Sequence, residues 1–139
     1  MLTIAGAARR IRPLLPAALL LAVVAGCQSA GADSARETAS EFVTAVKSSD
    51  AGHACQLLAP DTMEMLEELR PEGCEQALPE LDLPDAQISR IEVWGDAAQA
   101  RSDQDVLFLR ELTDGWRIEA AGCQEQEGGE PYQCALPGS

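Results

Sequence analysis

The sequence predicts an α+β fold, with helices first and an antiparallel sheet after them, and three observations carry that expectation. Apolar residues recur at helical spacing from Ala35 to Leu81, the apolar runs shorten to strand length beyond Pro84, and turn-forming residues separate those later runs. Asp114-Gly115 is the strongest hairpin signal in the chain.

Taken in order, Ser34-Ala35-Arg36-Glu37 reads as a capping box, and Ala35, Ala39, Phe42, Val43 and Val46 then fall on one face of a helix over 35–48. Asp50 caps a second helix with an apolar stripe of Ala51, Ala54, Cys55 and Leu58, leaving His53 on the opposite, solvated face. Pro60 stops that helix. Asp61-Thr62-Met63-Glu64 offers another capping box, Met65, Leu66 and Leu69 give a third helix before Pro71, and a fourth runs from Cys74 to Leu81. Strands are expected over 87–94, 97–102, 106–112 and 116–121, joined by Gly95-Asp96, Asp103-Gln104-Asp105 and Thr113-Asp114-Gly115. Three consecutive hairpins make a meander, and the alternation in Trp116-Arg117-Ile118-Glu119-Ala120 gives it one buried and one wet face. The tail, 124–139, is loose unless a disulfide pins it.

At 139 residues the chain holds one domain, and with 4% aromatic residues its core rests on Leu, Val, Ile and Ala. Its formal charge of −13 repels phosphate backbones, so nucleic acid is excluded as a partner.

Residues 1–26 carry Arg9, Arg10 and Arg12, no acid, and an apolar run from Leu14 to Ala25, the layout of a signal peptide. The run falls short of the ~20 residues that a membrane span needs. Arg9-Arg10, followed by Ile11-Arg12-Pro13, reads as an ordinary basic region rather than a twin-arginine signal. The run ends in Val24-Ala25-Gly26-Cys27, which resembles the bacterial lipobox. In that family the peptide is cut before the cysteine, whose sulfur forms a thioether to diacylglycerol. The resemblance implies lipidation of Cys27, a membrane partner through that anchor, and a place on the outer face of the cell membrane. Removal of the three arginines leaves 7 bases against 23 acids, −16, so charge gives the anchor no help; the acyl chains, at ~0.8 kcal/mol per buried CH₂, outweigh the repulsion. Residues 27–33 are then the lipidated cysteine and a flexible tether, and 34–123 the folded domain.

Outside a reducing cytosol, the remaining Cys55, Cys74, Cys123 and Cys134 read as two disulfides. Four cysteines allow three connectivities. Proximity in sequence favours Cys55–Cys74 and Cys123–Cys134, each stabilising the fold by ~2–4 kcal/mol. Spacings of 19, 49 and 11 do not suit a tetrahedral zinc site, and the chain has no Cys-x-x-Cys.

A helix ending in Ser48-Ser49-Asp50, a second helix with Cys55, Leu57 and Leu58, and strands closing in Asp114-Gly115-Trp116-Arg117-Ile118 and Ala120-Ala121-Gly122-Cys123 resemble the nuclear transport factor 2-like superfamily. Small actinobacterial lipoproteins of unassigned function are similar over most of 34–123. The resemblance implies a curved antiparallel sheet wrapped round helices as a cone with one mouth. Enzymes of the superfamily, such as ketosteroid isomerase and scytalone dehydratase, set Asp, Tyr or His inside that cone.

Here His53 reads as a surface side chain and Tyr132 as tail packing. A carboxylate with a raised pKa, Asp96 or Asp105, is the remaining acid–base candidate, and nothing in the pattern singles out either one. No nucleophile triad, phosphate loop or metal motif is present, so no catalytic residue, metal or cofactor is expected. Trp94 and Trp116, near strand ends, either line the cone mouth for a hydrophobic ligand or fill the core. The acids Asp61, Glu64, Glu67, Glu68, Glu72, Glu75, Glu80, Asp82 and Asp85 stand against Arg70 alone, a solvated face, a docking surface for a basic partner or a loose divalent-cation binder, with no spacing that matches an EF-hand loop. The expected role is a non-catalytic binding module of the cell envelope, taking a small apolar ligand or an envelope protein; the alternative is a small lyase or isomerase using a carboxylate inside the cone.

Overall fold

A computed structural model describes the backbone of residues 26–138 and the side chains of 31–138, so the expected leader peptide over 1–26 and the expected lipidation of Cys27 lie outside the described residues. The first helix, α1, spans Gly26–Lys47, which makes it longer than its apolar stripe. It runs through the segment expected to be a tether, and Ser34 sits within the helix instead of capping it. Ala30, Ala32 and Ala35 favour helix strongly enough to carry it across Gly31. Ala35, Ala39, Phe42, Val43 and Ala45 form its buried face, and the three small alanines let the helix lie close to its neighbours. Near its middle, the Arg36 Nη1 donates to the carbonyl of Ile88 at 3.0 Å, fastening α1 to the approach of the first strand.

Asp50 caps α2 (Ala51–Gln56), its carboxylate accepting from the His53 N–H at 3.0 Å. Helix α3 (Pro60–Leu69) starts differently from its sequence pattern. Pro60 occupies the first turn after Ala59, and the box at 61–64 makes no cap. Thr62 is buried and donates its hydroxyl to the Glu119 carbonyl at 2.8 Å, so the residue read as part of a cap docks the helix on the sheet. Helix α4 (Cys74–Ala77) runs directly into a 3₁₀ turn over Leu78–Leu81.

The sheet is an open antiparallel meander of five strands in sequence order: β1 Arg90–Trp94, β2 Ala97–Arg101, β3 Val106–Leu112, β4 Gly115–Gln124 and β5 Gln133–Leu136. The first four are the four expected hairpin-linked strands. The fifth comes from the tail, which is paired to β4 with Cys123 opposite Cys134. Side chains of one parity, Ala98, Ala100, Leu107, Leu109, Trp116 and Ile118, meet α1 and α2 in the main core. The register shifts between Val106 and Leu109, where the longer β4 bulges against β3. Beyond that bulge, Val106, Ala120 and Cys123 build a second cluster on the other face, closed by Phe108, Tyr132 and Cys134.

Disulfides join Cys55 to Cys74 and Cys123 to Cys134. The first ties α2 to α4; the second pins the tail to β4. No described helix is long and apolar enough to cross a membrane.

Candidate binding site

Of the two readings of the tryptophans, lining a mouth or filling the core, Trp116 takes the second, while Trp94 is exposed on the other sheet face. Trp116 is 3% exposed and packs in the main core with Phe42, Leu107, Leu109 and Ile118, filling the space between helices and sheet. Its Nε1 is buried and without a hydrogen-bond partner. Trp94 is 56% exposed, at the end of β1 on the opposite sheet face, in the row of Ala97 and Arg110.

The candidate carboxylates lie at opposite ends of β2 and do not form a pair. Asp96 is exposed in the β1–β2 turn, 3.5 Å from the Arg110 Nη1. Asp105 is buried in the β2–β3 turn, where its carboxylate accepts from the Ser102 hydroxyl at 2.6 Å and the Gly122 N–H at 3.1 Å. Burial pushes the Asp105 carboxyl above its ordinary value, and these two hydrogen bonds oppose the shift. It forms no ion pair among the described residues, and its contacts are those of a clamp holding the turn against β4.

His53 lies at the surface, with Nε2 2.8 Å from Glu41. Tyr132 has a larger part than tail packing alone. Its ring meets Phe108 edge-on with centroids 5.1 Å apart, and its hydroxyl donates to Glu125 at 2.6 Å while accepting from Arg101 at 2.9 Å and Gln99 at 3.2 Å. The Tyr132 hydroxyl and the Arg101 guanidinium hold the Glu125 carboxyl below its ordinary value. The network satisfies the polar end of Gln99, a buried side chain on the outer face of the sheet.

All nine acids of the 61–85 segment are exposed, and Arg70 answers two of them, Glu72 at 3.0 Å and Glu80. They form a solvated negative face. No group of His, Cys, Asp and Glu among the described residues is arranged to hold a metal.

No family model, curated protein or solved structure matches this chain. Any functional reading therefore rests on its own residues and hollows.

Among the described residues, two of the hollows open to solvent are the best formed. One, of about 410 Å³, lies at the start of α3 between Pro60, Asp61 and Leu112, and Arg110 and Glu119 on its floor are already paired at 3.0 Å. The other, of about 180 Å³, lies between the end of α1, the start of α2 and the 3₁₀ turn, walled by Ala45, Val46, Ala54, Leu78 and Leu83. Ser49 and Asp82 stand on its lining. Neither was singled out as a site residue from sequence, although a helix ending in Ser48-Ser49-Asp50 without glycine is itself a signal that an ordinary residue takes a left-handed cap.

Proposed function

We propose that the protein is a lipid-anchored, extracytoplasmic domain of the cell envelope that works by binding rather than by catalysis. The observation that carries the reading is the filled interior: Trp116, Phe42 and the leucines of β3 occupy the space between helices and sheet, where a cone-shaped enzyme of the nuclear transport factor 2-like kind keeps its reacting groups. Contacts with other molecules are then left to the outer surface and its shallow hollows. The open meander packed on helices is compatible with a partial cone of that kind. The lipobox-like Val24-Ala25-Gly26-Cys27 supports the anchor, and two disulfides suit an oxidising compartment.

Fractionation of a bacterial host expressing the full chain tests the reading. The protein is expected in the membrane fraction, open to protease added outside the cytoplasmic membrane, and Cys27→Ser is expected to abolish incorporation of an alkynyl fatty acid. Retention in the cytosol, or fatty-acid labelling that survives the substitution, would overturn the anchor. A small molecule retained between helices and sheet in native mass spectrometry would reopen the enzymatic alternative.

A further inference from the structure

The two disulfides sit in different surroundings. Cys55 and Cys74 are both buried, at 5% and 6% exposure, in the main core between α2 and α4. Cys123 is fully buried as well, but its partner Cys134 is only half-buried, on the edge strand β5 between the exposed Gln133 and Ala135. Thiol–disulfide exchange needs a thiolate to reach a sulfur, and accessible disulfides are the labile ones. Of the four bonded cysteines, Cys134 alone offers that access.

Little besides this bond holds β5 in place. It meets β4 through three register pairs, Ala121–Leu136, Cys123–Cys134 and Gln124–Gln133, and buries only Leu136. The surface beneath it and its lead-in is apolar. Val106, Ala120 and Cys123 are covered by Phe108, Tyr132 and Cys134, and the Tyr132 hydroxyl ties the tail across the sheet to Gln99 and Arg101 on β2. Withdrawal of the tail takes Tyr132 and Cys134 off Val106, Phe108 and Ala120, and leaves the end of β4 as an unpaired edge.

We propose that Cys123–Cys134 is a redox-controlled clasp: a dithiol reduces it while Cys55–Cys74 persists, and its reduction lifts β5 off β4 and uncovers the apolar patch around Phe108. One thiolate of the dithiol attacks the Cys134 sulfur, the Cys123–Cys134 bond breaks, and Cys123 leaves with the electron pair and takes a proton. The second thiolate of the dithiol attacks the mixed disulfide, and Cys134 leaves and is protonated in turn. Two electrons and two protons pass to the protein, and the dithiol ends as its own disulfide. Reoxidation closes the clasp.

The test treats the oxidised full chain, in detergent and without denaturant, with dithiothreitol, alkylates free thiols with iodoacetamide at intervals and assigns them by peptide mass spectrometry. Cys123 and Cys134 are expected to be alkylated together, at least ~tenfold faster than Cys55 and Cys74. Hydrogen exchange of the half-reduced protein is expected to show amides 133–136 unprotected and those of 91–101 and 106–112 unchanged, with protection restored on reoxidation. Reduction of both bonds at one rate, or of Cys55–Cys74 first, would overturn the proposal. So would a half-reduced protein that keeps 133–136 protected, or one that loses protection across the whole sheet. The comparison lies within one chain and is indifferent to Cys27, so the clasp and the lipid anchor fail separately.

Discussion

Cys123 and Cys134 stand directly opposite one another in the β4–β5 ladder, their Cα atoms 3.9 Å apart, so one covalent bond and a short run of backbone pairing hold the tail on the sheet. The same residues pack with Val106, Ala120, Phe108 and Tyr132, the cluster that covers the outer face of the sheet at this end.

Replacing both cysteines with alanine is expected to cost about 2–3 kcal/mol, from the entropy of an 11-residue separation. Hydrogen exchange locates the loss: amides of 133–136 lose protection first, while those of 106–112 keep theirs. Uniform loss across the sheet would mean that β5 is integral to the core.

The two tryptophans are expected to behave oppositely. Trp116→Ala empties a core position and costs about 3–5 kcal/mol, whereas Trp94→Ala changes stability by under about 0.5 kcal/mol. Acrylamide is expected to quench the Trp94 emission and leave that of Trp116 largely untouched. Equal quenching would contradict the filled interior.

Asp105 carries a pH signature. Its folded pKa lies above that of the unfolded chain, so the native state holds this proton longer and the contribution of Asp105 to stability falls as pH rises through its folded value. NMR titration of its carboxyl carbon is expected to give a midpoint above that of exposed aspartates, and Asp105→Asn to remove this component from the stability–pH curve. Asp105→Ala leaves the Gly122 N–H without its partner and removes the shortest of the Ser102 hydroxyl's hydrogen bonds, at a cost of about 1–3 kcal/mol.

Gly122 has φ 64°, and a Cβ there would lie 3.0 Å from that of Ala135 and 3.2 Å from the Leu83 side chain. Gly122→Ala combines a left-handed alanine with a tight contact and is expected to cost about 2–4 kcal/mol, measured by urea unfolding.

The helix-then-sheet order and four of the strands were legible because they are written in local signals: periodicity, Asp50 as a cap, and Gly95-Asp96 and Asp114-Gly115 as turns. What was not legible depended on contacts distant in sequence. Thr62 looks like part of a cap until Glu119 comes within reach, 57 residues away. Residues 133–136 bury only Leu136 and become a strand because β4 is long enough to pair with them. Trp94 lies in the row of Ala97 and Arg110, while Trp116 faces Glu111; one residue of offset between neighbouring rows puts the two rings on opposite faces, which strand-end positions alone do not reveal. The hollow at Ser49 and Asp82 joins a helix end to a turn more than thirty residues later, a pairing that no local signal marks.

The most direct measurement is the intact mass of the full chain's product, extracted from host membranes without reductant. The account predicts a chain beginning at Cys27, carrying diacylglycerol and short of four hydrogens for its two disulfides. A chain still bearing residues 1–26, or one without lipid, would contradict it.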